Sequence, residues 1–322
     1  MKNRVSKSKL REKNVLLALL VTVVIFTILN ASYFTVANMV DIAKQATING
    51  IIAIGMTFAI ISGGIDLSVG CTFAIAIVIV GKLTTIGISP VVALILGLII
   101  GIILGYINGI LVTKLNLQPF IATLATMSVY RGIAYVITGG WPVLGIPDSF
   151  RKMLSAKLFL DIPVYVFIFI AVAVLTNILL KRTRYGNYLT AVGDNEEAAK
   201  LAGLNINKIK LVAYAVCGMC AALAGMIMLA NLGTGEPATG QGYELDAIAA
   251  AAIGGTRMAG GRGTILGTVI GALFLAALKI GLIIIGVSTF WQYVVTGVII
   301  AIAAYLEIFQ EQLTLKKSVK TA

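Results

Sequence analysis

A carboxylate inside a bilayer costs a few kcal/mol unless it is paired or capped, so Asp66 is the first residue of chemical interest in this chain. It follows Ser62-Gly63-Gly64-Ile65 and opens an apolar run from Leu67. A glycine break followed by an acid suits a helix N-terminus. There the carboxylate oxygens accept the backbone N–H groups of residues 68 or 69 and face the positive end of the helix dipole. The alternative use of such an acid is direct contact with a polar solute. Arg131, also within an apolar stretch, either snorkels to an interface or pairs with an acid such as Asp66. Asn108, Thr123, Thr126 and Ser128 supply neutral groups that can meet a solute's hydroxyls or join helices together.

Other chemistry is excluded by residue type. The chain has no histidine, which removes Ser-His catalysis, and no paired aspartates stand within apolar runs. Cys217 and Cys220 form a C-x-x-C, but they lie in a hydrophobic run without further zinc ligands. The glycine-rich stretch Gly254 to Gly263 contains Arg257 and Arg262, yet no G-x-x-x-x-G-K-S/T occurs, so no phosphate-cradling lysine is present.

A different kind of site is suggested between Gly193 and Gly203. Asp194 or Asn195 can cap a helix, Glu196 and Glu197 suit its positive first turn, and Gly203 can end it in the left-handed conformation. Ala198, Leu201 and Ala202 then share one face at i, i+3 and i+4. They make a small apolar knob able to enter a partner's groove; a solvated connector is the plain alternative.

These residues must be positioned by a membrane-embedded scaffold. Of 322 residues 59% are hydrophobic and 12% charged, with mean hydropathy +1.00; soluble proteins carry about 25% charged residues. A helix needs about 20 apolar residues to cross a bilayer. Ten candidates follow: 15–33, 44–62, 67–81, 90–113, 119–138, 162–180, 209–230, 243–254, 264–285 and 290–306. The third and eighth are short and follow glycine-rich breaks, the mark of a discontinuous or re-entrant helix. Similar breaks in two sets of five spans suggest two inverted halves. Gly97, Gly101, Gly105 and Gly109 recur every four residues, leaving a stripe against which another backbone can pack; Gly267 and Gly271 repeat the device.

The net charge of +12 reports topology here, not nucleic-acid binding. With the N-terminus inside, 18 Lys and Arg residues fall in cytoplasmic segments and five outside, and Arg131 and Lys279 lie within spans. By the positive-inside rule both termini and the loop 181–210 are cytoplasmic. The expected organisation is a basic N-terminus (1–14), a transmembrane domain (15–306) and a C-terminal tail (307–322). The first 30 residues read as a signal anchor, since no small-x-small cleavage site follows Asn30. An ion-coupled transporter remains an alternative, weakened by the scarcity of intramembrane ionisable groups.

Glu197-Ala198-Ala199, followed by Gly203, resembles the E-A-A-x-x-x-G loop of ABC importer permeases, without the I-x-L-P ending that many of them show. Ser62-Gly63-Gly64-Ile65-Asp66-Leu67-Ser68-Val69-Gly70, Phe120-Ile121-Ala122-Thr123-Leu124, Gly242-Tyr243-Glu244-Leu245-Asp246-Ala247-Ile248-Ala249 and Gly254-Gly255-Thr256 resemble the ribose-type monosaccharide permeases. The resemblance implies an all-α polytopic membrane protein of type II-like importer architecture in a bacterial inner membrane. It implies a homodimer that passes a monosaccharide delivered by an extracytoplasmic sugar-binding protein. Glu196, Glu197, Ala198, Ala199, Leu201, Ala202 and Gly203 would engage a cytosolic ABC ATPase, which would bind the ATP and Mg. Asp66, Asn108, Thr123, Thr126 and Arg131 would line the pathway or hold its helices. No cofactor, metal or nucleic acid is expected on this chain. Nucleosides, autoinducer-type furanoses and branched-chain amino acids are alternative solutes.

Overall fold

The computed structural model describes residues 2–288, 290–299, 301–302 and 305. The expected tail at 307–322 lies outside them. Thirteen α-helices account for most of the described chain, and its β-structure is two isolated bridges, Val143 with Gly235 and Lys157 with Pro163. In chain order they are α1 (Lys2–Leu29), α2 (Val36–Ile61), α3 (Val69–Thr85), α4 (Pro90–Thr113), α5 (Pro119–Thr138), α6 (Asp148–Ser155) and α7 (Val164–Arg182). There follow α8 (Arg184–Asp194), α9 (Glu196–Leu201), α10 (Ile206–Leu232), α11 (Tyr243–Ile253), α12 (Ile265–Ile284) and α13 (Phe290–Ile299).

Local chemistry explains the boundaries. Thr35, Ser89 and Thr264 cap α2, α4 and α12 with their hydroxyls, and Pro90 and Pro119 occupy first-turn positions where a missing N–H costs nothing. Gly139 and Gly233 end α5 and α10 in the left-handed conformation.

Every one of the ten expected spans contains a helix, but they are not equivalent. Among the described residues seven helices (α1, α2, α4, α5, α7, α10 and α12) are long and apolar enough to cross a membrane. The other three, α3, α11 and the described part of α13, are shorter. Two helices were not expected. α6 is amphipathic, burying Phe150 and Leu154, and α8 fills most of the stretch from Lys181 to the expected helix at 193–203.

α2 and α10 form the centre. From Ile51 to Ile61 the side chains of α2 are essentially inaccessible, and Ala213, Cys217, Cys220, Ala221 and Ala224 are equally enclosed on α10. α4, α5 and α7 ring this core and expose apolar faces, such as Ile95, Ile99 and Ile103 on α4 and Ile170, Val174 and Ile178 on α7, as a helix facing lipid must. Lipid tails are as apolar as leucine, so close packing rather than water exclusion holds such helices together. The glycine stripe does this on α4. A Cβ at Gly101 would lie 2.6 Å from the Gly218 carbonyl oxygen, and one at Gly105 would lie 2.1 Å from that of Tyr214. Gly267 and Gly271 likewise admit the α11 backbone at Gly254 and Ala250.

The neighbour relations repeat. α4 packs on α10 as α12 packs on α2; α3 packs on α10 as α11 packs on α2; and α3 touches α4 as α11 touches α12. Exchanging α2, α3 and α4 for α10, α11 and α12 leaves the pattern unchanged, in agreement with an architecture of two related halves.

Candidate functional site

Two places gather the residues singled out by sequence. The first is the start of α3. Asp66 is 1% exposed. Its Oδ1 accepts the Ser68 backbone N–H at 2.9 Å, as expected, and the Ser68 hydroxyl at 2.7 Å; Ser68 itself stands at the N-cap of α3, so Asp66 fixes the cap residue rather than a first-turn N–H. Asn108, from α4, donates its side-chain amide to both carboxylate oxygens at 3.1 Å. Thr123, from α5, donates to the carbonyl of Ile65 at 3.2 Å and to Pro119 of its own helix. Thr126 donates to the Thr123 carbonyl, so it supports α5 without reaching Asp66. The break between α2 and α3 is thus clamped from two other helices by neutral groups. Ser128 turns back on the Leu124 carbonyl and is exposed.

Arg131 makes no hydrogen bond to Asp66. Its guanidinium donates to the carbonyls of Pro237 at 2.6 Å and Thr239 at 3.0 Å, in the segment between α10 and α11. Free carbonyls outside a helix are strong acceptors, and the break before α11 supplies two of them.

That break leads to a cluster which the sequence reading passed over. A Cβ at Gly70 would lie 2.2 Å from the Gly240 carbonyl oxygen, and Phe73 and Tyr243 meet edge to face with ring centroids 5.2 Å apart. The short helices α3 and α11 therefore begin at the same point. Glu244, in the first turn of α11, accepts the Gly242 N–H at 3.3 Å. Asp246, buried in the same turn, meets the Lys279 ammonium from α12 at 2.5 Å and the Asn49 side-chain amide from α2 at 3.3 Å. Lys279 had been counted only as a charge within a span. The signal was available: an intramembrane lysine requires a partner, and Glu244 and Asp246 open the neighbouring short span. Five buried or half-buried ionisable groups, Asp66, Arg131, Glu244, Asp246 and Lys279, correct the expectation of near absence.

The second place is α8–α9. Asn195 caps α9 by accepting the Ala198 N–H at 2.9 Å, Glu196 and Glu197 occupy its first turn, and Gly203 follows at φ +80°. Glu196 also pairs with Lys210 of α10 at 2.5 Å. Ala199 turns inward and is buried, whereas Ala198 and Ala202 are exposed and Leu201 is 89% exposed. The expected apolar knob exists and nothing in the described chain covers it. Beneath it Tyr185 of α8 donates to the Ile209 carbonyl at 3.2 Å, and burial pushes its phenol up. The segment is anchored to α10 and presents its apolar face outward.

Chemically, neither place is a catalytic centre. The first holds helix starts in register; the second leaves an apolar face that nothing in the described chain covers. Among the described residues no group of His, Cys, Asp and Glu could hold a metal ion. Cys71, Cys217 and Cys220 are free and buried.

Known proteins agree with these features. The chain is 46% identical over 292 residues to the ribose import permease protein RbsC of Bacillus subtilis (strain 168), covering 90% of this chain and 91% of that one. It is 40% identical to the protein of the same name from Escherichia coli (strain K12), covering 94% and 95%. The D-allose transport system permease protein AlsC of Escherichia coli (strain K12) is 39% identical over 90% of this chain and 89% of its own. No solved structure is a match. The family described as branched-chain amino acid transport system / permease component matches residues 38–304. That range takes in both helix breaks, the buried charge cluster and α9, and with relatives similar over nine tenths of their length it shows that this chain belongs to that permease family.

Proposed function

We propose that the chain is the membrane-spanning permease subunit of an ATP-driven ABC importer and that its solute is a monosaccharide, ribose or a similar sugar. The observation that carries this is the likeness to permeases named for ribose, D-allose and L-arabinose across about nine tenths of the chain. In this reading the protein is a multi-pass component of a bacterial inner membrane and works as a homodimer with the pathway between two copies. An extracytoplasmic binding protein delivers the sugar, and a cytosolic ATPase binds ATP and Mg and hydrolyses the nucleotide.

Orientation follows from charge. The loops 181–210 and 254–263 touch each other, with Arg257 3.8 Å from Asp194. Together they hold eight Lys and Arg residues, which supports placing them, and both termini, in the cytosol. The exposed face of Ala198, Leu201 and Ala202 then meets the ATPase. Glu196 and Glu197 in its first turn, buried Ala199 and Gly203 at its end shape α9. Asp66, Asn108, Thr123, Thr126 and Arg131 hold the helices around the pathway.

The test is co-expression with the candidate ATPase and binding protein, purification, and reconstitution into vesicles. ATPase stimulation and uptake are then read across ribose, allose, arabinose, glucose and leucine. Monosaccharide-dependent stimulation supports the reading. Uptake of leucine alone would overturn it. Ala198→Arg places a long charged side chain on the docking face. The expected result is a folded chain that no longer retains the ATPase and takes up little sugar.

A further inference from the structure

Three segments far apart in sequence meet beside α9 with no side chain between their backbones. The Gly261 N–H donates to the carbonyl of Ile61, the last residue of α2, at 2.9 Å. A Cβ at Gly193, in the last turn of α8, would lie 1.7 Å from that same oxygen and 2.6 Å from the Gly261 nitrogen. A Cβ at Gly260 (φ +88°) would lie 2.9 Å from the Gly193 oxygen and 3.0 Å from Cα of Gly63, and one at Gly261 (φ +76°) would lie 2.7 Å from Cα of Asp194. The loop from 254 to 263 is closed upon itself, Arg257 N–H donating to the Arg262 carbonyl at 2.8 Å and Gly260 N–H to the Arg257 carbonyl at 2.9 Å. Arg257 also lies 3.8 Å from Asp194.

Each member of this junction leads elsewhere. Asp194 is adjacent to Asn195, which caps α9. Ile61 and Gly63 lead into the Asp66 break and α3. The 254–263 loop joins α11 to α12, and so leads to Asp246 and Lys279. Interiors are close-packed and transmit displacement where no soft side chain intervenes.

We infer that the junction of Gly193, Gly260 and Gly261, with Arg257 against Asp194, is the relay that carries movement of α9 into α2 and into the α11–α12 pair. These are positioning residues for transport, distinct from the docking face itself, and the inference rests on the reading of α9 as the ATPase contact. ATPase closure displaces α9; the junction moves both helix breaks together because they share one point of attachment.

The experiment uses the reconstituted importer and reads sugar taken up per ATP hydrolysed, a ratio that partial misfolding does not change because inactive molecules lose both. Gly193→Ala is expected to retain the ATPase on co-purification while the ratio falls about fivefold or more, the lower end of coupling between distant sites. Arg257→Gln leaves the glycines in place and should lower the ratio by a smaller factor. An unchanged ratio in Gly193→Ala overturns the relay, as does an unchanged ratio in Arg257→Gln where Gly193→Ala does not accumulate. Loss of ATPase attachment in Gly193→Ala, with an unchanged ratio in Arg257→Gln, also overturns it. If the unsubstituted complex takes up no sugar, the proposed function fails instead, and the two failures are told apart by that control.

Discussion

The starts of α3 and α11 pose one physical problem and answer it differently. Each short helix begins among packed helices, where buried N–H groups need acceptors. At α3 one acid, Asp66, takes the Ser68 N–H and is held by the neutral donors Ser68 and Asn108. At α11 there are two acids: Glu244 takes the Gly242 N–H, while Asp246 is met by the Lys279 ammonium. A helix N-terminus carries about half a positive charge, which offsets part of one carboxylate but not two. The second acid therefore brings a cation with it. In both halves the compensating group comes from the equivalent neighbour, α4 for α3 and α12 for α11. Arg131 adds a strap from α5 to the segment before α11.

The most severe way to break this comparison is to remove the cation. Lys279→Met leaves Asp246 buried with only an amide, and stranding one member of a buried pair costs about 3–5 kcal/mol. Purified protein should melt far lower or fail to accumulate, and adding Asp246→Asn should restore most of the loss. A wild-type melting temperature for Lys279→Met would show that Asp246 does not depend on it.

Next in size is the neutral side. Asp66→Leu removes the acceptor of the Ser68 N–H and hydroxyl and one of the two partners of the Asn108 amide, at about 1–3 kcal/mol. Asp66→Asn keeps an acceptor and should retain most of the stability in the same thermal assay. If the leucine variant melts normally and loses only uptake, Asp66 serves the solute rather than the helix.

A smaller and local effect is expected for Arg131→Met, which frees the carbonyls of Pro237 and Thr239 and should weaken the segment by about 1–2 kcal/mol. Hydrogen exchange ought to rise between 233 and 242 and not in α4; a uniform rise would mean that Arg131 supports the whole fold. Smallest for stability is Ala198→Arg on exposed α9. The change should stay within about 0.5 kcal/mol while ATPase co-purification is lost, which would separate docking from the helix starts.

Much of this is legible in the sequence. The spans were readable because a bilayer imposes a length and an apolar content that single residues report directly. The cap at Asp66 and the ends of α9 were readable because Ser, Asn and Gly act within a few residues of their own position. α6 escaped because eight residues with Arg151 and Lys152 exposed look like a loop in a count of apolar residues. α8 escaped because Gly186, Asn187 and Gly193 are poor helix formers, overridden here by burial of Leu189 and Val192.

What the sequence alone determined is therefore local or set by the solvent: membrane embedding, the order of helices, their caps, the glycine stripe on α4 and the apolar face of α9. What only the tertiary structure decided is which distant groups meet. Arg131 binds backbone carbonyls, which carry no residue signature. Lys279 selects Asp246 rather than another acid because α11 and α12 lie side by side. Gly193, Gly260 and Gly261 acquire meaning only when the ends of α2 and α8 meet the 254–263 loop. A chain encodes its short-range contacts in neighbouring residues, whereas contacts across some two hundred positions depend on the packing of every helix between them.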